Sequence, residues 1–305
     1  MSRKTPFLSL LVLILLGSLT HFPRLSQPQE VVFDEVHFGK FATAYCCTGE
    51  RFFDIHPPHA KLLIAGAAWL GGYRGGFLFD HIGEPYGELP IVALRIIPAL
   101  SGILLPLIIY GLLRQLGARS LIAFAGALVV LLDNALIVQT RIIALDGILL
   151  VATFGSLSAY LAAVRRQGTT RLAWLIVAGL LAGLAVGTKF TGLAALALLG
   201  VLVVQQLARA RSWRELSTWA GYGVLIVVSC VSLYLAGWWA HFALLPLPGT
   251  GDAFHVPDSV LPPQSPTIAN FIQETAELHR VMFTANYNLT ASHPDASPWW
   301  SWPFM

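Results

Sequence analysis

Seven stretches of this chain, at roughly 7 to 22, 90 to 113, 120 to 139, 142 to 163, 172 to 188, 190 to 207 and 217 to 240, are almost unbroken runs of apolar residues. A helix rises about 1.5 Å per residue and a bilayer core is about 30 Å thick, so runs of roughly 20 residues are what a span requires. In lipid every backbone N–H and C=O must be paired within its own segment, which makes these runs helices. The remaining composition agrees. Only 11% of the 305 residues are charged, against 56% hydrophobic, where a soluble domain carries about 25% charge. The sequence predicts an all-α polytopic membrane protein.

A net charge of +3 and a pI near 8.8 do not indicate nucleic acid, because the basic residues form short clusters between apolar runs rather than a continuous stripe. Three cysteines do not make a disulfide framework, and the adjacent pair Cys46 and Cys47 fits neither a common zinc spacing nor a CxxC redox pair. The first apolar run follows Arg3 and Lys4 and ends in Gly17-Ser18-Leu19-Thr20, a poor cleavage site, so it reads as a retained anchor.

Loop charge orients the spans. With the glycine-interrupted segment Lys61 to Phe79 left on the surface, the clusters Arg114/Arg119, Arg165/Arg166/Arg171 and Arg209/Arg211/Arg214 all share a side with Arg3 and Lys4. That side is cytoplasmic by the positive-inside rule. If Lys61 to Phe79 crossed, all three clusters would flip outside. The loop 23 to 89, the corners at Arg141 and Lys189, and the tail 241 to 305 therefore fall on the extracytoplasmic face. The tail is broken by prolines, but from Thr267 to Phe283 apolar residues recur at helical spacing beside Glu274, Glu277 and Arg280, which predicts an amphipathic helix on the membrane. Asn288-Leu289-Thr290 is an N-glycosylation sequon, relevant in a eukaryotic secretory host.

Ionisable residues in or beside spans are costly unless paired or hydrated, and so are functional candidates. Asp34-Glu35 follows Val31-Val32-Phe33, and neighbouring carboxylates beside apolar residues can have their pKa values driven apart. His56-Pro57-Pro58-His59-Ala60-Lys61 places a histidine and a lysine at the start of a short helix, a setting suited to an anion. Arg95 lies several residues inside its span. Arg141 and Asp146, five apart, could form a structural ion pair, and Lys189 sits in a near-loopless corner that calls for a counter-anion such as phosphate. A lone acidic pair is ordinarily a solvated loop and a proline turn is ordinarily only rigid. All eight residues on one inferred face are harder to explain that way, since acids able to deprotonate a hydroxyl meet bases able to hold a phosphate.

These residues, with Phe33 to Lys40, Phe53 to Pro58, Ser101-Gly102, Asp133-Asn134-Ala135, Lys189-Phe190-Thr191-Gly192, His293-Pro294 and Trp299 to Pro303, resemble the protein O-mannosyltransferase family, in family order over almost the whole chain. The resemblance implies the GT-C glycosyltransferase fold with about seven transmembrane helices plus outer-face juxtamembrane helices. Residues 1–240 would be the catalytic transmembrane domain and 241–305 the start of a large outer loop. It implies transfer of mannose from a polyprenyl (dolichyl-type) phosphate to Ser or Thr hydroxyls, with inversion. The active face would meet the outside of a prokaryotic plasma membrane or the lumen of the endoplasmic reticulum. Two departures stand out: His59-Ala60 replaces the family's usual Leu-Gly, and the family's later spans do not follow Met305, as in a fragment or a shortened member.

On this resemblance Asp34 is the general base, and Glu35 positions the acceptor or contacts Arg95. Arg95 and Lys189 would hold the lipid phosphate, with His56, Lys61, Arg141 and Asp146 as further binding residues. The sequence has no nucleotide-phosphate loop and no acidic cluster with metal spacing, so no cofactor and no obligatory metal are expected, the lipid-linked sugar being a substrate. The expected partners are that lipid, an acceptor polypeptide, the bilayer and a dimer partner, with no nucleic acid. The alternatives are a related transferase moving another lipid-linked sugar onto a lipid or glycan and, from another class, a transporter, which would carry ionisable groups at all depths of the membrane.

Overall fold

The structure, a computed structural model, describes residues 4–254 and 268–288. Its helices, in chain order, are α1 (Lys4–His21), α2 (Glu35–Thr43), α3 (His59–Leu70), α4 (Ile91–Gln115), α5 (Ser120–Leu131), α6 (Asn134–Gln139), α7 (Asp146–Val164), α8 (Gly168–Thr188), α9 (Leu193–Arg209), α10 (Trp213–Leu244) and α11 (Ile268–Tyr287). Among the described residues, β pairing is limited to isolated bridges of Glu30 with Pro85 and Glu50 with Leu247.

The bundle is centred on α8, which packs between α7 and α10. Helix α4 lies on the other side of α7, with α1 and α5 against α4. Small residues let these helices approach closely. A Cβ at Gly183 would sit 2.5 Å from the Cys230 carbonyl oxygen, the kind of backbone contact that Gly and Ala permit between helices in lipid. Ala178 and Ala182 of α8 are fully buried with Ala159, Tyr160 and Ile226. The outward positions are no less apolar: Leu121, Val129, Val204 and Val224 are exposed, as residues facing lipid should be.

Among the described residues, five helical segments are long and apolar enough to cross a membrane: α4, α7, α8, Phe190–Arg209 and α10. The protein is integral to the membrane. The expected spans at 7 to 22 and 120 to 139 correspond to shorter apolar helices. The second of these is interrupted, because Asp133 turns its carboxylate onto the Leu136 amide (2.9 Å) and caps a new helix, α6. Asp competes for backbone N–H groups in this way and favours caps over helix interiors. Helix α3, with 12 residues, extends about 18 Å and is too short to span.

The basic clusters gather at one end of the bundle. The Arg165 guanidinium meets the Gln115 carbonyl, and Arg171 lies over the rings of Trp219 and Tyr222 at the start of α10. In the tail, α11 forms where the amphipathic spacing predicts it. Its apolar residues divide, however: Leu278 and Met282 pack on Trp238, whereas Ile268, Ile272 and Phe283 stay exposed. The aromatic wall of α10 competes with lipid for one side of the helix. His293-Pro294 and Trp299 to Pro303 lie outside the described residues. Cys46 and Cys47 are joined in a disulfide within a π-helical turn, Ala44–Thr48, a pairing that their adjacency did not suggest.

Candidate active site

The end of the bundle opposite the basic clusters collects the N-termini of α2, α3 and α7 and the C-terminus of α8. Asp146 is the first residue of α7 and Lys189 follows the last residue of α8, so each charge suits the helix end it occupies. Their side chains form an ion pair of 2.8 Å and remain partly open, Lys189 20% and Asp146 41% exposed. The counter-anion required by Lys189 is thus Asp146. The expected Arg141–Asp146 pair is not made. Arg141 instead donates to the carbonyls of Thr20, His21, Pro23 and Arg24 at 2.6–3.1 Å, holding the C-terminal end of α1, where carbonyls lack intrahelical partners.

Asp34 and Glu35 have opposite fates. Asp34 is the N-cap residue of α2 but makes no side-chain cap bond, and among the described residues nothing hydrogen-bonds to its carboxylate. It is half-buried, and burial raises its pKa above the ordinary value, opposed by the charges of His37 and Lys189 and reinforced by Asp146 and Asp54. Phe33, just before it, holds a left-handed φ of 48°, a conformation that costs a non-glycine residue about 1–2 kcal/mol and is retained where the surroundings enforce it.

Glu35 is fully buried. It accepts a bidentate pair from Arg95 (Nε 2.7 Å, Nη2 2.8 Å), the Tyr86 hydroxyl (2.6 Å) and the amides of Ile143 (2.9 Å) and Val32 (3.1 Å). Arg95, equally buried, spends Nη1 on the carbonyls of Leu25 (3.2 Å) and Pro28 (3.1 Å). The expectation that Arg95 holds a phosphate does not fit this placement, because its guanidinium is enclosed and its fork is closed on Glu35. A catalytic Glu35 fits no better. Together they tie the first loop to α4 and to the entrance of α7. Burial and the Glu35 charge keep the Tyr86 phenol protonated, pushing its pKa up.

Lys61 is buried and pairs with Asp54, donating also to the His56 carbonyl at 2.7 Å. Its ammonium lies 5.2 Å from the Phe41 ring centre. Burial pushes the His56 imidazole below its usual pKa, opposed by Asp54 and reinforced by Lys189 and Lys61. Phe52, Asp54, His56, Lys61, Trp238 and Leu278 line a small, partly open cavity of about 10 Å³. Asp34, His56, Lys61, Asp146 and Lys189 therefore form one electrostatic neighbourhood, while Glu35, Arg95 and Arg141 stand outside it. Asp54, inside the Phe53 to Pro58 motif, was not among the expected site residues, and it is the fold that brings it onto Lys61. Nor was Trp238, for which the sequence carried no signal. Among the described residues, no three His, Cys, Asp or Glu side chains are grouped to hold a metal ion.

A bundle of apolar helices with an acid, a histidine and two ion pairs gathered at one set of helix ends has the architecture of the GT-C membrane fold. Its fold is similar to that of an Archaeoglobus fulgidus oligosaccharyltransferase (TM-score 0.54, 16% identity, 92% of this chain and 37% of that one). It is more similar to a protein O-mannosyltransferase Pmt1-Pmt2 complex of Saccharomyces cerevisiae bound to its sugar donor (TM-score 0.80, 30% identity, 85% of this chain and 36% of that one). Residues 11–246 match the model of the dolichyl-phosphate-mannose-protein mannosyltransferase family, and the chain belongs to that family. A Candida albicans relative, dolichyl-phosphate-mannose–protein mannosyltransferase 4, is 35% identical over 269 residues, 81% of this chain. The chain spans about a third of the length of such relatives, 35% in that case.

Proposed function

We propose that this chain carries the catalytic transmembrane part of an inverting transferase that moves mannose from a dolichyl-type phosphate to a Ser or Thr hydroxyl. The observation that carries this reading is the separation of roles at the bundle end. Among the described residues one carboxylate, Asp34, accepts no hydrogen bond and feels the charge of the partly open Lys189, while the neighbouring Glu35 is consumed by the scaffold. In the reaction the acceptor oxygen attacks the anomeric carbon, the bond from that carbon to the phosphate oxygen breaks, and Asp34 takes the hydroxyl proton. Lys189 meets the negative charge that develops on the departing phosphate, where a fixed cation lowers the barrier. His56 lines the sugar side, and Lys61, closed on Asp54, shapes it.

The active face is extracytoplasmic, consistent with the basic clusters at the opposite end of the bundle. The Pmt1-Pmt2 pairing of the yeast relative supports a partner subunit for this chain too. The deciding experiment is transfer from radiolabelled dolichyl-phosphate-mannose to a Ser/Thr peptide by the protein in its full-length context. Label on the peptide hydroxyls is expected. Label confined to lipid or glycan acceptors would overturn the proposed acceptor class.

A further inference from the structure

His59, the first residue of α3, is buried and has no part in the reaction above. Its ring lies between α8 and α10: Nδ1 is 3.1 Å from the Gly187 carbonyl oxygen and Nε2 is 2.9 Å from the Leu233 carbonyl oxygen. Carbonyls only accept, so the ring donates to one of them as a neutral tautomer and to both as imidazolium. Both helices are shaped around it. A Cβ at Gly187 or at Gly237 would fall on the imidazole, and the Tyr234 ring lies nearly parallel to it, at 14° with centroids 5.9 Å apart. The charge that acts on this imidazole is Lys61 of its own helix. Helices α8 and α10 present carbonyls and the Tyr234 ring.

Gly187 belongs to the last turn of α8, where carbonyls have no intrahelical N–H to accept. One residue beyond the helix end, Lys189 takes an extended backbone (φ −146°, ψ 148°) and places its ammonium on Asp146. We infer that His59 is a positioning residue for Lys189: by seating its ring between the Gly187 and Leu233 carbonyls, with a Cβ at Gly187 or Gly237 excluded by the imidazole, it sets where α8 ends and thus where the lysine stands. The inference rests on the reading of Lys189 as the phosphate ligand. It adds that the ligand is aimed by a histidine on a different helix, in the segment that also carries His56 and Lys61.

The test is binding of dolichyl phosphate, without sugar, to the full-length protein in detergent, together with donor KM and kcat for transfer. His59→Leu removes the donor and should weaken lipid-phosphate binding about tenfold, raising donor KM more than it lowers kcat. His59→Gln supplies two amide N–H donors and should restore binding to within about threefold. In a Lys189→Gln background, His59→Leu should add little, because the effect passes through the lysine. Additive losses in that double variant, equal binding by the Leu and Gln variants, or a lowered melting temperature with unchanged lipid-phosphate affinity would each overturn the inference. Lipid-phosphate binding without transfer would overturn the proposed reaction and leave this inference standing. Wild-type protein that binds no lipid phosphate would overturn both.

Discussion

Lys189 and Asp146 are 43 residues apart in the chain and 2.8 Å apart in space. Two antiparallel neighbours, α7 and α8, bring an N-terminus and a C-terminus to the same end of the bundle, and each terminus favours the charge it carries. The pair keeps a cation in a largely apolar chain without leaving it unmatched, and both side chains remain partly exposed.

Replacing Lys189 with Gln should raise the donor KM by about 10- to 100-fold, as expected for loss of a hydrogen bond to a charged group. Asp146→Asn should have a smaller effect, because the ammonium remains. Donor titrations of the two variants check this, and an Asp146 variant worse than the Lys189 variant would contradict it.

Asp34→Asn should lower the transfer rate by about 100- to 10,000-fold, the usual cost of losing a general base. Donor affinity should be retained. Single-turnover transfer alongside lipid-phosphate binding separates the two quantities.

The pH dependence follows from the raised pKa of Asp34. A base works when ionised, so the transfer rate should fall as pH drops through that value and level off above it, and the Asn variant should lack this limb. Stability has the opposite sign: the native state holds this proton more tightly than the unfolded chain. That contribution is full below the unfolded pKa and is lost as pH rises through the folded one. Asp34→Asn should therefore melt no lower than wild type at neutral pH, as thermal unfolding in detergent would show.

Breaking the Glu35–Arg95 pair should act on the fold. Glu35→Ala strands a buried guanidinium and should cost about 3–5 kcal/mol, read as loss of folded protein during extraction. A Glu35→Ala, Arg95→Met double variant should recover part of that loss. A well-folded Glu35→Ala protein impaired only in acceptor KM would return Glu35 to the acceptor site.

Arg141→Ala should free the C-terminal end of α1 from its four carbonyl contacts. Proteolytic sensitivity of residues 22 to 30 should increase, with donor KM changed less than by Lys189→Gln.

What the sequence determined by itself was the solvent of this protein and the elements that solvent demands. Apolar runs ending in basic clusters are local properties, and they marked α4, α7, α8, α9 and α10 because lipid leaves a long apolar segment no alternative to a helix. The amphipathic spacing of α11 was legible for the same local reason, and ordered motifs pointed to the family. The tertiary structure decided which charged residues face each other. The resemblance left Glu35 either at the acceptor or on Arg95, and the fold chose Arg95, 60 residues away, while Asp34, one residue earlier, stays half-buried and outside that pair. Arg141 could have paired with Asp146, but the end of α1 offers it four carbonyls. The break at Asp133 and the divided face of α11 were likewise settled by competition between partners. Hydropathy is fixed residue by residue, whereas a buried charge is matched by whatever group packing brings within about 3 Å, and spacing along the chain does not encode that distance.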